Sequence, residues 1–183
     1  MNALERLSIP LLETERFDLR PIRQSDSGLI GHYSSDKRVA CQTSSIPHPL
    51  PPGASDAFVA RVTSPDSNEH VWALDASRHG GSEVMGLLTL TRLDDEQSEI
   101  GYWVAPAFWN TGIASDAVQA IIAGNPLKNH TIFAATFQDN PASARVLTHA
   151  GFEYIGDAET YSLARAAKVS TWTYLRKLGN IGA

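Results

Sequence analysis

The 183-residue chain has one cysteine, Cys41, so no disulfide can form within it. That scarcity fits a reducing compartment. No activating group flanks Cys41, so a nucleophilic role is not expected of it. Apolar runs are short, and none approaches the roughly 18 residues a membrane span needs. Residues 1–8 have no apolar signal core and carry Glu5 and Arg6, which makes the cytoplasm the expected location. Basic charge is also scarce: 15 Lys and Arg face 20 Asp and Glu, a net charge of −5. A nucleic-acid binder relying on a basic surface is therefore not expected. No GxxxxGK[ST] or GxGxxG occurs, so nucleotide hydrolysis and dinucleotide redox chemistry lose support. The six histidines (32, 48, 70, 79, 130 and 149) form no HExxH or other ligand spacing, so no metal is expected.

What is present is ordinary for a folded domain. Apolar residues make up 43% and charged residues 19%, a balance that disordered chains do not reach. At roughly 150 residues per domain the length suggests one domain. The densest Pro/Ser stretch, 43–55 (TSSIPHPLPPGAS), holds four prolines. It lies too near the N-terminus to separate two domains and reads as an ordered loop.

Alternation over 15–22 predicts a first strand. Ser25 and Asp26 open a helix to about Ser34, and a second helix covers 54–63 with Ser55 as candidate cap. Strands follow at 70–75, 83–93 and 98–104, the last two joined by the polar turn Asp94–Gln97. Ala114, Ala117, Val118, Ile121 and Ile122 mark an amphipathic helix that Gly124, Asn125 and Pro126 end. Thr131–Phe137 reads as a buried strand. Asn140 and Pro141 start another helix, and Gly151 stops it. Residues 152–156 and 171–175 read as closing strands. The order predicts a mixed α/β domain with hairpins and crossovers.

Two stretches carry candidate chemistry. The turn Asn110-Thr111-Gly112-Ile113-Ala114-Ser115 lies between a strand and a helix. Its free N–H groups and the helix dipole would attract phosphate, and Gly112 allows close approach. It is equally readable as a plain strand-to-helix turn. In the second stretch Ser143, Val146, Leu147 and Ala150 share one helix face. Ser143 thus puts a hydroxyl on an apolar stripe, unless it bonds back to its own helix or serves as a small packing residue. Asn140 can likewise be a cap and nothing more.

With three further segments these stretches carry a family resemblance. The segments are Leu12–Ile22 (LETERFDLRPI), Ser45–Leu50 (SIPHPL), Glu99–Val104 (EIGYWV), Trp109–Ala114 (WNTGIA), and Asn140-x-x-Ser143 followed by Val146, Leu147, Gly151 and Phe152. The chain resembles the GNAT acetyltransferase superfamily, in the branch of the ribosomal-protein N-acetyltransferases RimJ and RimL. The resemblance implies one GNAT domain over 10–178. Its sheet would be mixed and mostly antiparallel, with a splayed parallel pair, 98–104 and 131–137, and flanking helices. It implies acetyl-CoA as co-substrate, held between the splayed strands. Tyr102, Trp103 and Val104 would pair with the pantetheine arm. The amides of Asn110, Thr111, Gly112, Ile113, Ala114 and Ser115 would take the pyrophosphate. Asn140 and Ser143 would line the thiol end.

The sequence departs from the wider superfamily pattern. The turn holds no Lys or Arg, so phosphate would rest on amides and the helix dipole alone. Its first position is Trp109, as in the branch. Leu147 stands where many members carry a tyrosine acid, so the thiolate must find another partner. Ser143 is the candidate, as a hydrogen-bond donor. Glu99 is the candidate base that removes a proton from the amine, with a solvent-facing strand glutamate as the alternative. A backbone N–H near Val104 would meet the oxyanion.

The implied activity is N-acetyl transfer to a primary amine, a small molecule or a protein N-terminus, within a ternary complex. A longer acyl group and a non-catalytic acyl-CoA sensor are the alternatives. The net negative charge mildly favours a cationic acceptor. The loop 41–52 and the first two helices would form one acceptor wall, where His48 is either a polar contact or structural. Trp72, Trp103 and Trp172 are expected in core or pocket wall. Monomer and homodimer both occur in such families.

Overall fold

The computed structural model describes residues 9–179. Strands β1 (Leu12–Glu13) and β2 (Asp18–Pro21) lead into helices α1 (Ser27–Ser34), α2 (Lys37–Ala40) and α3 (Ala54–Val62). Strands β3 (Glu69–Asp75), β4 (Gly86–Arg92) and β5 (Gln97–Val104) follow. Then come α4 (Ile113–Gly124), β6 (Thr131–Phe137), α5 (Pro141–His149), β7 (Glu153–Ser162) and β8 (Ala167–Lys177). They form one sheet in the order β1-β2-β3-β4-β5-β6-β8-β7. Among the described residues only β5 and β6 pair in parallel, and the other neighbours are antiparallel. The mixed sheet expected from the resemblance is the sheet observed.

The parallel pair parts. Its register runs from Gln97 opposite Thr131 to Ile100 opposite Ala134 and stops there. Yet β5 continues to Val104 and β6 to Phe137. On its other side β5 stays zipped to β4 through Gly86 opposite Val104. Gly86 is required there, because a Cβ would collide with the Trp103 carbonyl oxygen.

Alternation along β5 assigns its side chains to two faces. Ile100 and Val104 join Leu88, Leu90 and Ile132 under α4 and α5, packed against Ile113, Val118, Ile121 and Leu147. Burying one such side chain contributes ~1.5–3 kcal/mol. The opposite face packs Val71, Ala73 and Leu87 against Ile30 of α1 and Val59 and Val62 of α3, with Trp103 at the margin.

The helix ends behave as their sequences dictate. Asn125 ends α4 in the left-handed region (φ 37°). The Asn140 side chain accepts from the Ser143 amide at 3.2 Å and caps α5, with Pro141 at its start. At the other end the Phe152 amide bonds the Leu147 carbonyl and the Gly151 amide bonds Thr148. This paired closure needs the left-handed Gly151 (φ 78°).

Several expectations need adjustment. The first strand is shorter than 15–22, because the Thr14 hydroxyl closes a turn onto Phe17 and makes a hairpin of β1 and β2. The cap of α3 is Gly53 in a left-handed conformation, not Ser55. Ser55 sits inside the helix, where its hydroxyl approaches Gly31 of α1. The four-residue α2, capped by Asp36, is too short for a periodic signal. The closing strands extend to 153–162 and 167–177 as one long hairpin. Most of β7 is exposed on both faces, so alternation could not reveal it.

Candidate active site

A cavity of about 1030 Å³ opens where β5 and β6 part. Every residue proposed for the site from sequence lines it: Glu99, Tyr102, Trp103, Val104, Asn110 to Ser115, Asn140 and Ser143. Five separate elements and connections bring these residues together.

The start of α4 forms one end. Asn110 and Gly112 both adopt left-handed backbone, at φ 59° and 80°. Gly112 is the N-cap and has no side chain to satisfy the first-turn amides. Among the described residues, the amides of Asn110, Thr111 and Gly112 also find no backbone acceptor. Unpaired amides at the positive end of a twelve-residue helix suit an anion. The turn carries no cation of its own; Arg16 reaches it from a distant segment with its charge already paired to Asp116. Arg16 donates to the Thr111 carbonyl at 2.8 Å and to Asp116 at 2.7 Å. A sequence separation of 95 residues hides that contact from local pattern.

The parted edge of β5 forms the floor. The Ala105 amide bonds Met85 on the β4 side. By alternation the backbone groups of Tyr102 and Val104 face β6, where pairing has ended. The Trp109 indole N–H takes the Val104 carbonyl at 2.6 Å. That bond anchors the first residue of the turn to the last residue of the strand. The Val104 N–H is left facing the gap.

Above the floor the Tyr102 and Ser143 hydroxyls meet at 2.9 Å. Burial pushes the Tyr102 phenol up to about 12, although its bond to Ser143 pulls the other way. It therefore stays protonated at neutral pH. The sequence reading gave Tyr102 only a backbone role, and the pairing of its hydroxyl was missed. A tyrosine on the buried face of β5 and a serine on the apolar face of α5 were the available signal. Ser143 does not bond back to its own helix through its hydroxyl; its oxygen lies against Tyr102.

Glu99 projects from the opposite face of β5, one residue before the last paired rung. No ion-pair or hydrogen-bond partner reaches it among the described residues. Its side chain stays exposed to the open cavity, and partial desolvation by the surrounding protein raises its carboxyl pKa above the ordinary glutamate value. Glu99 and Tyr102 are three residues apart on a strand and so lie on opposite sides of the gap.

The remaining wall belongs to residues 42–50, including Ile46, Pro47 and Leu50. His48 is not among the lining residues. This wall is clamped to the rest of the site. Arg165 donates to the Cys41 carbonyl at 2.7 Å, pairs with Asp139 at 2.6 Å and lies 4.7 Å from the Phe137 ring centre. Asn140 donates to Gln42 at 3.2 Å, and the Leu163 amide bonds Ser44. Of the tryptophans, Trp72 is fully buried and Trp103 lines the cavity. Among the described residues no three His, Cys, Asp or Glu side chains gather as metal ligands would, and no helix is long and apolar enough to cross a membrane.

The parted parallel pair and the helix start with free amides make this a mixed α/β fold with a cavity open inside the sheet. Residues 16–153 match the family model described as acetyltransferase (GNAT) domain. The chain belongs to the GNAT acetyltransferase family, in its RimJ/RimL-like branch, and is an N-acetyltransferase. It is 25% identical over 170 residues to the uncharacterized N-acetyltransferase YoaA of Bacillus subtilis (strain 168), spanning 90% of this chain and 95% of that one. Spermidine N-acetyltransferase from Vibrio cholerae, solved with CoA and spermine, shares the fold at a TM-score of 0.78 and 13% identity. That match covers 91% of this chain and 98% of the other. Ribosomal-protein-S5-alanine acetyltransferase from Vibrio fischeri shares it at 0.73 and 20% identity, over 95% and 100% of the two chains.

Proposed function

We propose that the chain transfers an acetyl group from acetyl-CoA to a primary amine by direct attack in a ternary complex. The observation that carries this reading is the position of Glu99: an unpaired carboxylate with a raised pKa, one rung before the last pair that closes the sheet. The uncapped start of α4 is suited to the pyrophosphate, with Asn110 to Ser115 as donors. The free edge of β5 at Tyr102, Trp103 and Val104 is suited to the amides of the pantetheine arm. Asn140 and Ser143 then flank its thiol end.

The two sides of the gap divide the chemistry. On the Glu99 side, the carboxylate takes the proton that an ammonium must lose before nitrogen can attack. Nitrogen adds to the thioester carbonyl, and the Val104 N–H meets the oxyanion. The carbon–sulfur bond then breaks toward the other side. There the Ser143 hydroxyl donates a hydrogen bond to the departing thiolate, the Tyr102 hydroxyl donates to Ser143, and the second proton of the adduct nitrogen passes to the sulfur, leaving amide and CoA thiol. The raised phenol pKa keeps the Tyr102 proton available for its bond to Ser143.

The test is calorimetric titration with acetyl-CoA, CoA and a longer acyl-CoA, followed by thiol release with amines and N-terminal peptides. Micromolar binding with amine-dependent CoA release is the expected result. Absence of binding at millimolar acetyl-CoA would refute the assignment of the α4 turn. Faster release from the longer donor would make the acyl group something other than acetyl.

A further inference from the structure

Three side chains form a row across the acceptor face. Glu69 of β3 stands opposite Thr91 of β4, and Thr91 stands opposite Glu99 of β5. All three line the cavity. With neighbouring strands ~4.8 Å apart, the two carboxylates root about 10 Å from each other. Left alone, they would make a two-point seat for a dication.

Arg61 of α3 changes that. Its guanidinium meets the Glu69 carboxylate at 2.5 Å and lies 5.6 Å from the Phe58 ring centre. The Glu69 charge is spent within the protein, while Glu99 has no such partner. On this face of the cavity, among the described residues, Glu69, Arg61 and Glu99 sum to a single negative charge. The other lining cation, Arg145, comes from α5 on the far side of the sheet. Beyond Glu99 the walls are mainly apolar, with Ile30, Val39, Ile46, Leu50 and Phe58, and their polar members, among them Ser34, Gln42, Ser45 and Thr89, carry no charge.

We infer that the acceptor carries one ammonium on an otherwise uncharged, largely apolar body, and that Arg61 sets this preference by neutralising Glu69. The inference rests on the proposed role of Glu99 as the residue that receives the amine. A second ammonium on the acceptor would be desolvated beside Arg61 with no free carboxylate to pair with. A body without a second charge needs no second carboxylate and can lie against Ile30, Val39, Ile46, Leu50 and Phe58.

The test compares hexylamine with diaminohexane, which differ only by the terminal ammonium, with phenethylamine, spermidine and an N-terminal peptide as further acceptors. The expected wild-type result is a kcat/KM for the monoamines about tenfold or more above that for the diamines and the peptide. In Arg61→Gln the freed Glu69 carboxylate should raise diaminohexane relative to hexylamine by a similar factor. In the double variant Arg61→Gln/Glu69→Gln that gain should vanish, which a general loosening of α3 would not produce. Arg61 is 57% exposed, so its replacement is compatible with folding, and unchanged acetyl-CoA affinity checks this. A wild-type preference for diamines or peptides, or an unchanged ratio in Arg61→Gln, overturns the inference and leaves acetyl transfer standing. No amine-dependent CoA release from any acceptor overturns the acetyl-transfer reading, and this inference with it.

Discussion

The Tyr102 and Ser143 hydroxyls lie 2.9 Å apart, joining the buried face of β5 to the first turn of α5. In the proposed reaction the pairing would supply a hydrogen-bond donor on a helix that carries Leu147 where many superfamily members have a tyrosine. Removing either hydroxyl should cost a charge-assisted bond in the transition state, about 1–3 kcal/mol. Ser143→Ala should therefore lower kcat by roughly ten- to a hundredfold. Tyr102→Phe should lower it less, because Ser143 remains. The double variant should fall no further than Ser143→Ala, and the acetyl-CoA Kd should hold throughout. Additive losses in kcat would show that the two hydroxyls act separately.

Glu99 gives a pH prediction with a definite sign. Desolvation raises its carboxyl pKa, and only the ionised form can accept a proton. Acceptor kcat/KM should therefore rise with pH through an inflection above the ordinary glutamate value. In Glu99→Gln that acid limb should disappear, with kcat reduced by about a hundredfold or more. An unchanged profile would identify Glu99 as a solvent-facing strand residue.

Arg165 tests whether the clamped wall matters for the acceptor alone. Its guanidinium holds the Asp139 carboxyl below the usual aspartate range, and it bonds the Cys41 carbonyl. Arg165→Ala releases residues 41–44 without touching the α4 turn. Acceptor KM should rise by roughly an order of magnitude, with acetyl-CoA affinity unchanged. Equal damage to both would mean that the hairpin supports the whole cavity.

Arg20 is the stability prediction. It bonds Asp26 at 2.8 Å through two nitrogens and Asp75 at 2.5 Å. Both carboxylates are buried, at 2% and 7% exposure. Burial pushes the Asp75 carboxyl up, but bonds from Arg20 and Ser77 outweigh it and hold the group below its ordinary value. The stabilisation is thus full above the unfolded-state aspartate value and is lost as pH falls through the folded one. Arg20→Met should cost about 3 kcal/mol at neutral pH by taking the shared guanidinium from two buried carboxylates, Asp26 keeping Arg23 and Asp75 keeping the Ser77 amide. In strong acid the gap between variant and wild type should close. Denaturant unfolding at the two pH values measures both.

Elements with strong local signals were readable from sequence. The helical spacing of Ala117, Val118 and Ile121 and the Asn140–Pro141 start both encode themselves within a few residues. The edge hairpin was underread because β7 buries neither face along most of its length. The site divided in the same way. Backbone-borne parts, such as the open amides at Gly112, follow from turn chemistry. Contacts between distant segments do not: Arg16 reaches Thr111, and Arg165 reaches Cys41, across about half the chain or more. Tyr102 sits beside Ser143 only because α5 packs over β5, a relation no periodicity expresses. Arg61 and Glu69 are close in sequence, yet an exposed helix arginine gives no sign that it silences a cavity carboxylate.

As a hydrogen-bonded sheet, β1 to β5 and β6 to β8 are stitched together by four residue pairs, Gln97–Thr131 to Ile100–Ala134. Above that seam a bound donor would act as a rivet, lending its own amides to edges the chain leaves bare. The seat for the amine is then half built by the thioester itself, since Glu99 lies at the top of the stitched part. Catalysis should accordingly be ordered in time, with acetyl-CoA arriving first and CoA leaving last.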